Sequence, residues 1–167
     1  QADTAKPFPQ RAMRIFNPFP VGGGPDGVSR LVANKLSLAY SVPVVVENRP
    51  GANGFLAIEA FRNGARDGHD LMVLDLVHLA AYPWLFKRLP YDPQRDFTAL
   101  LPLFRTHFFV VVGKDSPHQS LADLLADARA RPEAVTYGSW AIGSPAHLGA
   151  AMLAEQAHAP MRHVVYK

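Results

Sequence analysis

Short apolar runs alternate along the chain with stretches in which apolar residues recur every three or four positions. That alternation predicts strands followed by helices. Residues 1–10 read as a loose polar lead-in, and a first strand is expected near Arg11–Phe16. Val28, Leu31, Val32, Leu36 and Ala39 share one face of a helix expected over Asp26–Tyr40. Val44–Val46 is β-branched and continuous, as in a strand covered on both faces. Turn residues from Glu47 to Gly54 should end it, and Leu56, Ala60 and Phe61 predict a second helix ending near Gly64. Leu71–Leu74 reads as a third strand and Val77–Phe86 as one helix. After the two prolines of Leu89–Pro93, residues Phe97–Leu103 and Phe108–Val112 read as extended. Ser120 opens a helix carrying Leu121, Leu124, Leu125 and Ala128, which closes on Arg129 and Arg131. A short strand at Val135–Tyr137, a helix over Ala146–His158 and a last strand at His163–Tyr166 complete the series. Strands alternating with helices argue for an α/β fold with parallel pairing.

The stretch between the first strand and first helix, Asn17 to Arg30, carries the candidate chemistry. Gly22, Gly23 and Gly24 let the backbone bend and come close to a ligand, and Pro25 suits a first helical turn. Bare N–H groups at the positive end of a helix are suited to an anion. Gly22, Gly24 and Gly27 also fit a dinucleotide fingerprint, with Glu47 at the distance of a ribose-binding acid. Against this, Asn17–Val21 separates strand from glycines, and Pro25-Asp26 falls where a pyrophosphate needs close, uncharged backbone. The plainest alternative is a tight turn with no ligand. A second turn of small residues, Gly138–Pro145, precedes a helix in the same way. Ligands of open α/β sheets sit beyond the carboxyl ends of the strands, so two such turns facing each other would clasp a small molecule.

Composition narrows the classes further. The chain has 167 residues, 49% hydrophobic and 19% charged, room enough for one large domain or two small ones. A net charge of +3 from scattered basic residues makes nucleic acid a poor partner. No apolar run approaches a membrane span. The seven histidines lack zinc-site spacing, no serine lies in G-x-S-x-G, and there is no cysteine. No metal, cofactor or catalytic residue is therefore expected. Gln1–Pro7 has the polar character of a mature end left by signal cleavage, which predicts a periplasmic protein.

Four ordered blocks carry a family resemblance. They are Phe19–Gly23 with Asp26 and Arg30, Val44–Ala52, Leu89–Pro93 with Asp96-Phe97, and Thr136–Ser139 with Gly143-Ser144 and His147-Leu148. Together they resemble the Bug family, the extracytoplasmic solute receptors of tripartite tricarboxylate transporters. The resemblance implies a two-lobed α/β architecture of the type II periplasmic-binding-protein kind, incomplete at the C-terminus. Residues 1–102 would be most of lobe one and residues 103–167 the first part of lobe two. It implies a receptor rather than an enzyme, hinge closure on a small carboxylated metabolite, and a membrane permease as partner. A fragment that binds nothing, or that self-associates, is the rival expectation. The ligand-binding residues implied are Phe19, Gly22, Gly23, Asp26, Asp75, His78, Ser139, Ser144 and His147. Of these, Asp26 is expected chiefly to order the first helical turn, and His147 to hydrogen-bond structurally. Asp75 stands where the family has a serine. It should repel a carboxylate, which predicts a ligand with an amino group or neutral polar end there unless Asp75 caps the next helix.

Overall fold

The computed structural model describes residues 7–166. The chain divides into two units, one running to Leu103 and the other starting at Phe104.

In the first unit, strand β1 (Met13–Asn17) is the centre of a three-stranded parallel sheet, between β2 (Val44–Asn48) and β3 (Asp70–Met72). A central strand is covered on both faces, which is why Met13, Ile15, Phe16 and Asn17 are all buried. Arg14 is the exception. Its guanidinium clasps Asp70 on β3 with two bonds of 2.9 and 2.8 Å and approaches Glu47 on β2 at 3.8 Å. Ile15, Ala33 and Val73 form the core, with Phe19, Val32, Val44, Val46, Leu71 and Leu103 packed around them.

Helix α1 (Gly24–Tyr40) follows β1. Its buried line is Asp26, Ser29 and Ala33, whereas Leu31 and Ala39 of the expected apolar face are exposed. The helix is turned because its polar start is tied inward: Asn17 Nδ2 bonds Ser29 Oγ, and Ser29 donates to the Pro25 carbonyl. β2 is an edge strand in this sheet, with Val45 exposed, so the expected two-sided burial does not hold. β2 also runs through Glu47 and Asn48, because both pair in register with Phe16 and Asn17. A short 3₁₀ turn (Ala52–Gly54) leads into α2 (Phe55–Arg62), which buries Ala57 and Ile58 and leaves Leu56 exposed. The single helix expected after β3 is two, α3 (Leu76–Ala80) and α4 (Tyr82–Leu85), with Pro83 in the first turn of the second. Phe55 meets Tyr82, Phe86 and Tyr91 edge-to-face, closing this end of the unit.

The second unit pairs β4 (Thr136–Ser139) with β5 (Arg162–Val165) in parallel. Helix α5 (Leu121–Ala130) starts on Ser120, whose Oγ accepts the Asp123 N–H, while the Asp123 carboxylate accepts the Gln119 N–H. Helix α6 (Pro145–Gln156) follows β4. Residues 97–103 and 108–112, expected as extended, form no strand among the described residues, and Phe108–Val112 is exposed throughout.

Candidate functional site

In each unit the candidate groups lie where a strand's carboxyl end turns into a helix. After β1, Asn17 Oδ1 accepts the Phe19 N–H at 2.9 Å and starts the bend. Gly22 has φ +85°, a left-handed conformation that only glycine takes cheaply. Its N–H donates to Asp26 Oδ2 at 2.9 Å, and the Gly23 N–H reaches the Pro20 carbonyl at 3.4 Å. Gly23 is the N-cap of α1 and carries no side-chain cap. Fewer amides are therefore bare than the glycine count suggests. Gly24, exposed at the first helical position, donates its N–H to no acceptor among the described residues, and neither does Asp26 two positions on.

Asp26 is the tie that holds this turn. Its buried carboxylate takes the Gly22 N–H, Arg30 Nε at 3.0 Å and Asn48 Nδ2 at 2.9 Å. Asn48 also donates to the Phe19 carbonyl, and Arg30 bonds Asn48 Oδ1, so the end of β2 is stitched to the turn. The Arg30 bond, then the Gly22 amide and Asn48, hold the Asp26 carboxyl down at about 2. A carboxyl depressed below its unfolded value of about 3.9 stabilises the fold above that pH and stops doing so as pH falls through its folded value. Stability of this unit should therefore drop between about pH 4 and pH 2, and Asp26→Asn should flatten that part of a urea-denaturation pH profile. A profile unchanged by the substitution would mean that Asp26 holds nothing.

The same network disposes of the dinucleotide reading. The Gly22 amide that a phosphate would need is held by a carboxylate. Glu47, the expected ribose acid, is in ion pairs with Arg49 and Arg14.

After β3, Asp75 and His78 form a reciprocal capping box at the start of α3. The Asp75 N–H donates to His78 Nδ1 at 3.2 Å, so the ring's proton lies on Nε2, which meets the Asn53 carbonyl at 3.1 Å. Tyr91 donates to the His78 carbonyl at 2.6 Å. Burial lowers the His78 pKa, in keeping with a neutral ring, and burial raises that of half-buried Asp75. The Phe19 ring stands edge-on to His78, with centroids 6.4 Å apart. Thus Phe19, Asp75 and His78 are gathered at the carboxyl ends of β1 and β3, and His78 is spent on main-chain groups.

After β4, Ser144 caps α6 by accepting the His147 N–H, and the Gly143 N–H donates to His147 Nδ1 at 2.9 Å. Ser139 is buried, donates to the Ala141 carbonyl and lies 2.6 Å from His163 Nε2. Both serine hydroxyls are therefore engaged within the turn. Sequence reasoning missed Asn17, Ser29 and His163. Polar residues at the end of an apolar strand are the signal that points to the first; nothing local marks His163, which is brought in by pairing of β4 with β5.

Parallel strands joined to helices by ordered turns make an α/β arrangement, the kind in which ligands sit beyond the carboxyl ends of the strands. The sequence profile of the tripartite tricarboxylate transporter family receptor matches residues 28–167, and the chain belongs to that family. It is 30% identical to protein BugT of Bordetella pertussis over 165 residues, 98% of this chain and 51% of that protein. Among solved structures it resembles R. palustris Rpa4515 with adipate, at TM-score 0.81 and 29% identity over 96% of this chain and 54% of that one. It also resembles MatC (Rpa3494) from Rhodopseudomonas palustris with bound malate, at TM-score 0.77 and 26% identity, covering 95% of this chain and 54% of that one. The chain spans about half the length of these proteins. The family is one of solute receptors, not enzymes. No helix among the described residues is long and apolar enough to cross a membrane.

Proposed function

We propose that this chain is the ligand-capturing part of a periplasmic receptor that binds a small carboxylate and passes it to the permease of a tripartite tricarboxylate-type transporter. The observation that carries the reading is the Gly22–Gly24 turn: it is exposed, its shape is held by Asp26, and the Gly24 amide is left for an acceptor at the start of a 17-residue helix. Phe19, Gly22 and Gly23 supply the wall and close backbone, and Asp26 keeps them in place. Ser139, Ser144 and His147 order the second turn, where His147 Nε2–H is the donor left over. Two relatives of similar fold hold adipate and malate, both dicarboxylates, which supports the ligand class. Asp75 stands at the start of α3 with its N–H on His78, and the acids held by those two relatives make a plain carboxylate the simpler choice.

Gly23→Val tests the site. Gly23 has φ −75°, and a Cβ there would meet only the Pro20 oxygen at 3.6 Å and Pro25 Cδ at 3.9 Å, so the fold should tolerate it. The branched side chain would stand over the turn and keep a ligand away. In the full-length protein, a carboxylate at a hundredfold its dissociation constant should add about 2.7 kcal/mol of stability, and Gly23→Val should abolish the thermal shift. If the variant responds normally, the turn is only structural.

A further inference from the structure

The short helix α4 stands on a rigid aromatic base in the first unit. Tyr82, its first residue, is buried, edge-on to Phe55 at 6.0 Å and to His78 at 5.0 Å between centroids. Phe86, just past its end, closes the base at 5.4 Å from Phe55 and 5.0 Å from Tyr82. The Ala81 carbonyl accepts the N–H groups of both Trp84 and Leu85, at 3.0 and 3.2 Å, and Pro83 fixes its own φ. Between these anchors the chain turns its side chains outward. Pro83, Trp84 and Leu85 are all exposed, Trp84 by 89%. Lys87 and Arg88 follow at once, also exposed, and bond nothing among the described residues. The next acids along the chain, Asp92 and Asp96, are taken by Arg95 and Arg62. The tip is therefore a braced apolar projection with two uncompensated cations beside it.

We propose that this tip docks on the surface of a lipid bilayer that carries anionic headgroups: Trp84 and Leu85 enter the headgroup layer, and Lys87 and Arg88 meet its charge. An indole suits that layer, because its ring is apolar and its N–H stays on the wet side. Surface anchoring takes two signals, an inserted apolar group and a basic one, and here the two are adjacent in the chain. Each cation near such a surface strengthens binding about fivefold. A protein hot spot has a different character. Its central residue fills a pocket within a ring that excludes water, and its core is poor in lysine. A side chain as exposed as Trp84 has no such ring around it. With four residues, α4 lies on a bilayer and cannot cross it. For a receptor that serves a permease, docking of this kind confines the search for the permease to a plane. The inference goes beyond the receptor reading and stands without it, since Trp84, Leu85, Lys87 and Arg88 lie outside the turns assigned to the ligand.

The test is flotation of the full-length protein with vesicles of phosphatidylcholine alone and of phosphatidylcholine mixed with phosphatidylglycerol, at low and at physiological salt. The protein should float with the mixed vesicles and not with the neutral ones, and salt should weaken the binding. Lys87→Gln with Arg88→Gln should lower affinity for the mixed vesicles about 25-fold, two factors of about five. Trp84→Ala should lower it about tenfold. Brominated lipid should quench the fluorescence of the unaltered protein more than that of Trp84→Ala, which separates insertion from charge attraction alone. Both variants should keep the helix content and the thermal shift with malate or adipate, because only exposed side chains change. Absence of flotation with the mixed vesicles, or equal flotation of the unaltered protein and both variants, overturns the proposal. If bare mixed vesicles are ignored, and vesicles holding the permease capture the protein through Trp84, the tip is a protein interface and the lipid assignment is wrong. A missing thermal shift with either acid counts against the receptor reading alone.

Discussion

Gly54→Ala should destabilise the first unit by roughly 2–5 kcal/mol, whereas Gly22→Ala should cost only about 1–2. Both glycines have φ +85°, so both substitutions carry the same left-handed backbone penalty. They differ in what a methyl group meets. At Gly22 nothing lies within 4 Å. At Gly54 a Cβ would sit 2.6 Å from His78 Nε2 and 3.1 Å from Pro18 Cβ. His78 cannot swing aside cheaply, because its Nδ1 holds the Asp75 N–H, its Nε2 holds the Asn53 carbonyl and its own carbonyl holds Tyr91. The clash therefore adds overpacking and a broken hydrogen-bond set to the backbone cost. Urea melts of the two variants, compared at equal m-value, measure the difference. Equal midpoints would show that the ring is free to move and that the carboxyl ends of β1 and β3 are not rigidly joined.

The 167-residue chain studied by itself should self-associate, with a melting temperature that changes with protein concentration. Phe108–Val112 is a run of five aromatic and β-branched residues, and Phe109 and Val111 are 82% and 83% exposed. Trp140 and Ile142 add exposed apolar surface in the same unit. A continuous β-prone segment without ladder partners is a template for pairing with another chain, and such patches drive association. Replacing Phe109 and Val111 together by Lys should shift sedimentation toward the monomer without loss of helix content. A monodisperse monomer, melting sharply at a temperature independent of concentration, would show that the segment is harmless as it stands.

Much of the local structure was legible in the chain. Ser120 and Ser144 accept the amides that their positions before a helix predict, and Pro25 falls within the first turn of α1. The apolar runs at Met13, Val44 and Leu71 became strands, all parallel, because crossing helices separate them. Helix faces were read less well. Leu31 and Leu56 sit in the right periodicity yet face out, since period says which residues share a face and not which face is buried. The expected long helix after β3 broke at Ala81, where Pro83 requires a fresh first turn. The glycine turn was found from composition, but its main-chain amides were counted as free when one is held by Asp26.

Sequence alone determined most of the elements, their order, their parallel pairing and the places of the two strand-to-helix turns. These rest on backbone sterics, capping and hydrophobic period, all of which act over a few neighbouring residues. Tertiary structure decided the rest. It placed β2 at an edge, brought Asn48 to Asp26 across 22 positions, and fixed His78 against Gly54. It also set His163 between Tyr137 and His147. Each of these depends on which distant segments meet, and a buried carboxylate or imidazole takes its role from the partners that the fold supplies.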